Sequence, residues 1–122
     1  MRIEKETCYL HFCLVPEGLL RSHLLALSSQ YPHVQVKLYP SCGTVSLSLS
    51  APSSQDLLPF TQSLEQHFGS YLYSAPSGKI AEALRFACVQ RKKTLACAES
   101  CTGGRIAVEI VSIPGASDFF LG

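Results

Sequence analysis

The sequence predicts an α+β chain in two parts. A two-layer β-α-β-β-α-β sandwich comes first, and an α/β segment of order α-β-α-β follows. Two observations carry the first part: alternating apolar runs and helical stripes succeed one another in split-βαβ order, and two helices are needed to cover one antiparallel sheet. A third carries the second part. Beyond a Ser-Ala-Pro-Ser-Gly stretch at 74–78, helical stripes alternate with a short apolar run suited to a buried strand and with the start of another strand. The expected domains are 1–75 and 76–122.

Taken in order, CYLHFCLV (8–15) is a strand placing Leu10, Phe12 and Leu14 on one face and Tyr9, His11 and Cys13 on the other. Pro16 suits a first helical turn, and Leu20, Leu24, Leu27 and Tyr31 follow at helical spacing, so 17–30 is a helix. HVQVKLY (33–39) and TVSLSLSA (44–51) alternate on either side of a PSCG turn, forming a hairpin with one buried and one solvated face. A second helix starts near Ser54 or Asp56, with Pro59 close to its first turn. Its stripe is Leu57, Phe60, Leu64, Phe68 and Tyr71; Gly69 falls inside it, so either the helix runs on to Tyr71 or it ends at Gly69 and Tyr71 joins YLYS (71–74), the last strand of the sandwich.

In the second part, Lys79–Gln90 is a helix with Ile80, Ala83, Leu84, Ala87 and Cys88 on its apolar face. The basic run Arg91-Lys92-Lys93 suits a solvated C-terminal helix end. TLACA (94–98) reads as a buried parallel strand, 103–112 as a helix, Pro114-Gly115 as a turn, and DFFLG (118–122) as the start of another strand.

Composition narrows the function classes. Of 122 residues, 47% are hydrophobic and 16% charged, which supports a packed core and excludes a disordered chain. A net charge of +1 argues against a dedicated nucleic-acid binder. No apolar run approaches the roughly 20 residues that span a bilayer, and no secretory signal opens the chain. A cytoplasmic protein without membrane association is expected. Its six cysteines then read as free thiols serving as small hydrophobes. None is spaced as CxxC and the four histidines are scattered, so neither metal nor cofactor is expected. PSGKI (76–80) lacks the upstream glycine and following Ser/Thr of a phosphate-binding P-loop.

The stretch ACAESCTGGRIA (96–107) concentrates the chemistry. It sets Ser100, Cys101 and Thr102 between a strand's carboxyl end and a helix's amino end, where α/β sheets bind ligands. Three readings of this turn stay open on spacing alone. Ser100 or Thr102 caps the helix; Gly103 and Gly104 let an anion approach the helix N-terminus; or a hydroxyl acts as a nucleophile beside a base.

The segment TLACAESCTGGRIAVEIVSIPGASDFFLG resembles the opening of the C-terminal domain of the CinA (competence/damage-inducible protein) family. In that family a TLAxAESCTGG segment leads through a helix to VPGxSxxFxGG. The likeness covers roughly 77–122, while 6–75 is similar to the family's KH-like domain, without a Gly-x-x-Gly loop. The resemblance implies hydrolysis of the carboxamide of nicotinamide mononucleotide to nicotinic acid mononucleotide and ammonia. Ser100 maps to the nucleophile, and Glu99, Cys101, Thr102, Gly103 and Gly104 to the substrate cradle. The family's activating lysine and tyrosine follow the FxGG motif, and this sequence ends at Gly122 within it. The resemblance therefore implies a truncated domain, inactive until a C-terminal segment or a second copy completes it.

Overall fold

The structure, a computed structural model, describes residues 4–122 and divides into two compact units, the first ending at Ser74 and the second covering Ala75–Gly122. The first unit runs β1 (Glu6–Cys13), α1 (Glu17–Gln30), β2 (Gln35–Ser41), β3 (Thr44–Ala51), α2 (Ser54–Phe68), a 3-10 turn (Gly69–Tyr71) and β4 (Leu72–Tyr73). Its sheet has the order β2-β3-β1-β4, with every neighbouring pair antiparallel. This is the split βαβ arrangement expected, because each helix returns the chain to a strand that skips one position.

The helices cover one sheet face. Leu20, Leu24 and Leu27 of α1 and Leu57, Phe60, Leu64 and Phe68 of α2 close over Phe12, Val45, Leu47 and Leu49 in a single core. Phe12, Phe60, Leu20, Leu47, Leu49 and Leu64 are completely buried. Period-2 alternation on the strands and the 3.6-residue stripe on the helices converge on the same interior.

Several boundaries differ from expectation for local reasons. β1 ends at Cys13 because Leu14 adopts the left-handed conformation at φ 56° and donates its N–H to Gly43 O at 2.8 Å. Leu14 is consequently 75% exposed instead of sharing the core face with Phe12. The hairpin turn tightens to Cys42-Gly43, with Gly43 at φ 76°. Pro59 stands at the sixth residue of α2, beyond the first turn. On the sheet's polar face, Ser48 is buried: it lies on the central strand between Tyr9 of β1 and Lys37 of β2.

The second unit holds α3 (Ile80–Gln90), α4 (Arg105–Val111) and a 3-10 turn at Ala116–Asp118. The expected parallel pairing is reduced to a single parallel bridge between Leu95 and Phe120, and the TLACA segment is not buried: Leu95 and Cys97 are half-buried, while Thr94, Ala96 and Ala98 are exposed. Leu95 N–H donates to Phe119 O and Leu121 N–H to Leu95 O, both at 2.8 Å. Ala81, Ile110, Ile113 and Phe119 make the core, with Leu84, Cys88, Leu95 and Phe120 packed around it. α4 starts later than expected because Gly103 and Gly104 are both left-handed, at φ 61° and 89°. The six cysteines are free thiols, but Cys42 and Cys101 are exposed and so do not serve as packed hydrophobes.

Candidate functional site

The bridge at Leu95 delivers the chain through Cys97 to Glu99, Ser100 and the start of α4. Glu99 is the organising residue of this turn. Its Oε1 accepts the N–H of Ile106 at 2.7 Å and the hydroxyl of Thr102 at 2.9 Å, while Oε2 accepts the N–H of Ala107 at 3.1 Å. The helix start therefore carries its own carboxylate, which satisfies two of the N–H groups left unpaired at any helix N-terminus. Desolvation pushes the Glu99 carboxyl upward, but the Ile106, Ala107, Thr102 and Cys97 donors outweigh it and hold it below the ordinary range. The Cys97 thiol moves the other way, raised by desolvation and by the neighbouring Glu99 charge.

The remaining residues of the turn divide clearly. Gly103 N–H closes onto Ser100 O at 3.1 Å and Arg105 N–H onto Thr102 O at 3.2 Å. Among the described residues, the N–H groups of Cys101, Thr102 and Gly104 and the hydroxyl of Ser100 have no protein partner. Ser100, Cys101, Thr102 and Gly103 are all exposed, and a Cβ built on Gly103 or Gly104 would meet only open space. The turn thus presents a free hydroxyl and three free donors on a loop whose carboxylate faces inward. Sequence reasoning placed Glu99 beside a substrate and missed its use as a cap. The cap spans seven residues, whereas the readable signature of capping is a Ser, Thr, Asp or Asn next to the helix.

Gly115, in the IPGASDFF segment, is held from α3. Arg85 Nε donates to Gly115 O at 3.2 Å and Arg85 Nη2 to Asp118 Oδ2 at 2.6 Å. A cleft of ≈ 420 Å³ lies alongside, lined by residues including Lys79, Glu82, Arg85 and Ile113. Ser77 donates both its N–H and its hydroxyl to Glu82 at the mouth of α3. This cleft borders the loop that leads into Phe119, whereas Ser100 follows the strand that contains Leu95. Because the pairing is parallel, the cleft and Ser100 occupy opposite ends of it.

A family model described as the CinA C-terminal domain matches residues 77–122. Over those residues the chain is similar to the CinA family. Similarity to CinA proteins extends further along the chain. It is 32% identical over 116 residues to a CinA-like protein of Thermotoga neapolitana, an alignment covering 93% of this chain and 28% of the relative. It is 33% identical over 122 residues to a CinA-like protein of Prochlorococcus marinus strain NATL2A, covering 93% and 27%. With a CinA-like protein of Thermotoga maritima it shares 46% identity over 54 residues, covering 44% of this chain and 13% of the relative. The chain thus spans less than a third of the length of these CinA relatives. Among the described residues, no helix is long and apolar enough to cross a membrane, and no three His, Cys, Asp or Glu side chains gather as a metal-binding group.

Proposed function

We propose that this chain carries the nucleophile half of a CinA-type amidohydrolase site acting on nicotinamide mononucleotide. The observation that supports the reading is the exposed, unpartnered Ser100 hydroxyl on a turn braced by Glu99. In the first step, Ser100 Oγ forms a bond to the carboxamide carbon and its proton passes to a base. The base returns that proton to the amide nitrogen, which leaves as ammonia as the C–N bond breaks, and water then cleaves the acyl-enzyme to nicotinic acid mononucleotide and regenerated serine. The free N–H groups of Cys101, Thr102 and Gly104 are the candidates to hold the oxyanion or the substrate phosphate. Glu99 is a positioning residue, since its oxygens are engaged by α4 and Thr102.

A serine hydroxyl needs an adjacent base, and among the described residues none is hydrogen-bonded to Ser100. We assign that base to a following CinA segment or to a partner. The test measures ammonia release from nicotinamide mononucleotide by the chain alone and by the chain joined to the corresponding downstream segment of the Thermotoga neapolitana relative. Turnover is expected only in the joined protein, and Ser100→Ala should abolish it. Undiminished turnover in the joined Ser100→Ala protein overturns the serine assignment. A second reading, a non-catalytic α+β interaction module, is favoured by the lack of a base hydrogen-bonded to Ser100 among the described residues and would show no turnover even when joined.

A further inference from the structure

We infer that the uncovered face of the first unit's sheet is a binding site for single-stranded nucleic acid, gripped by base stacking more than by charge. Both helices pack on the face bearing Phe12, Val45, Leu47 and Leu49. Among the described residues of that unit no element covers the opposite face, and its registers bring together a specific set of side chains. One row across the sheet is Tyr73, His11, Ser46 and Tyr39; the next is Tyr9, Ser48 and Lys37; a third is Thr7, Ser50 and Gln35.

Aromatic rings flank a floor of small residues. Tyr9 is 64% and Tyr39 55% exposed. The His11 ring stacks on Tyr73 with centroids 5.6 Å apart, and His11 Nδ1 is fixed by Ser46 Oγ at 2.8 Å. Ser46, Ser48 and Ser50 occupy the central strand between them, so nothing tall separates the aromatic stations. From strand geometry, Tyr9 stands about 7 Å along β1 from His11, and Tyr39 about 10 Å across the sheet from it. Two or three consecutive unstacked bases fit such a spacing, and four-stranded sheets of this kind can present aromatics to bases in this way.

Charge selects the occupant. Lys37 lies on this face, and Lys5 is drawn onto it by donating to Gln35 Oε1 at 3.0 Å. No outward-facing strand position (Thr7, Tyr9, His11, Cys13, Gln35, Lys37, Tyr39, Ser41, Thr44, Ser46, Ser48, Ser50, Tyr73) is a carboxylate. A second copy placed face to face would oppose lysine to lysine with no acid to meet them. An anionic backbone carrying π-faced bases complements both features. The net charge of +1 is compatible, because two lysines supply only a small electrostatic share.

The test titrates the full chain against labelled oligouridylate and oligodeoxythymidylate of about eight nucleotides, read by fluorescence anisotropy. Saturable binding of either oligomer supports the site, and the tighter of the two identifies the source. Tyr9→Ala and Tyr39→Ala, both at exposed positions, should each weaken binding by about 5- to 150-fold, while Tyr9→Phe retains it. The salt slope should be shallow, about −1.4 for two phosphate contacts on a single strand, and smaller in Lys37→Gln. No binding, or unchanged affinity in the Tyr9→Ala/Tyr39→Ala double variant, overturns the inference. So does a sedimenting dimer that Tyr9→Ala dissociates, since a second copy would then occupy the face.

Discussion

The carboxylate of Glu99 holds the backbone N–H of Ile106 at 2.7 Å, seven residues ahead of it. Together with Ala107 and Thr102 it ties the serine-bearing turn to the first turn of α4. Its folded pKa lies below the ordinary value: desolvation raises it, and the backbone and hydroxyl donors more than reverse that. The sign follows directly. The unfolded chain binds a proton more readily, so this contribution is present above roughly pH 4.3 and lost as pH falls through the depressed folded value. Glu99→Gln should lower the melting temperature at neutral pH and flatten the acid limb of the stability curve. Amide exchange at Ile106 and Ala107 should speed up before that in β1 or β3. Unchanged exchange at those two amides would show that the carboxylate does not cap the helix.

This cap also marks where sequence reasoning stops. Periodic features were legible: the stripes of α1 and α2, the β2–β3 hairpin and the parallel pairing of the TLACA and DFFLG segments follow from alternation, helical spacing and short apolar runs. Features set by one backbone torsion or by lateral neighbours were not. Leu14 continues the alternation of β1 on the face of Leu10 and Phe12, but a left-handed φ turns it outward. Ser48 has a polar side chain on a polar face and is nevertheless buried, because Tyr9 and Lys37 flank it on the adjacent strands. At the site, spacing located the serine and the glycines, whereas the direction of the Glu99 carboxylate is a property of the folded turn.

Gly115 combines a left-handed torsion with a close neighbour. It sits at φ +78°, and a Cβ there would lie 2.6 Å from Arg85 Nε. Gly115→Ala should therefore cost about 1–2 kcal/mol in backbone strain, plus up to about 1 kcal/mol as the flexible Arg85 guanidinium shifts and loosens its exposed pairing with Asp118. Gly103→Ala, at φ +61° with open space around it, should cost only the strain. Urea denaturation of the two variants separates the contributions. Adding Arg85→Ala to Gly115→Ala should recover the part due to the displaced guanidinium, giving a non-additive cycle. Additive costs would mean that the guanidinium moves aside freely.

His23 and His67 bring α1 and α2 into contact as an imidazole pair with centroids 4.4 Å apart. His23 Nε2 lies 3.0 Å from Ser63 Oγ, and His67 Nδ1 donates to Ser63 O at 2.9 Å. Desolvation, and then the charge of His67, lower the His23 pKa. The folded chain thus resists protonation that the unfolded chain accepts near pH 6.5. This contribution is complete above that value and diminishes as pH falls below it. Melting followed by β-sheet signal should show a decline between about pH 7 and pH 5.5. His67→Gln should reduce the slope without removing it, because desolvation is the larger cause. An unchanged slope would mean that the two rings do not sense each other.

Leu14 offers the opposite case, a position where a smaller residue should help. It is held at φ 56° with its side chain 75% exposed, so it bears left-handed strain without core burial in return. Leu14→Gly relieves about 1–2 kcal/mol of strain and costs about 0.5–1 kcal/mol in backbone entropy, leaving stability unchanged or raised by up to ~1.5 kcal/mol. Leu14→Val should be destabilising, since a β-branched side chain tolerates that torsion poorly. Phe12→Ala, two residues earlier and completely buried, should lose about 3–5 kcal/mol. Denaturation of the three variants tests the order Gly, wild type, Val, with Phe12→Ala well below. A Leu14→Gly loss comparable to that of Phe12→Ala would place Leu14 back on the core face that the alternation of β1 predicts.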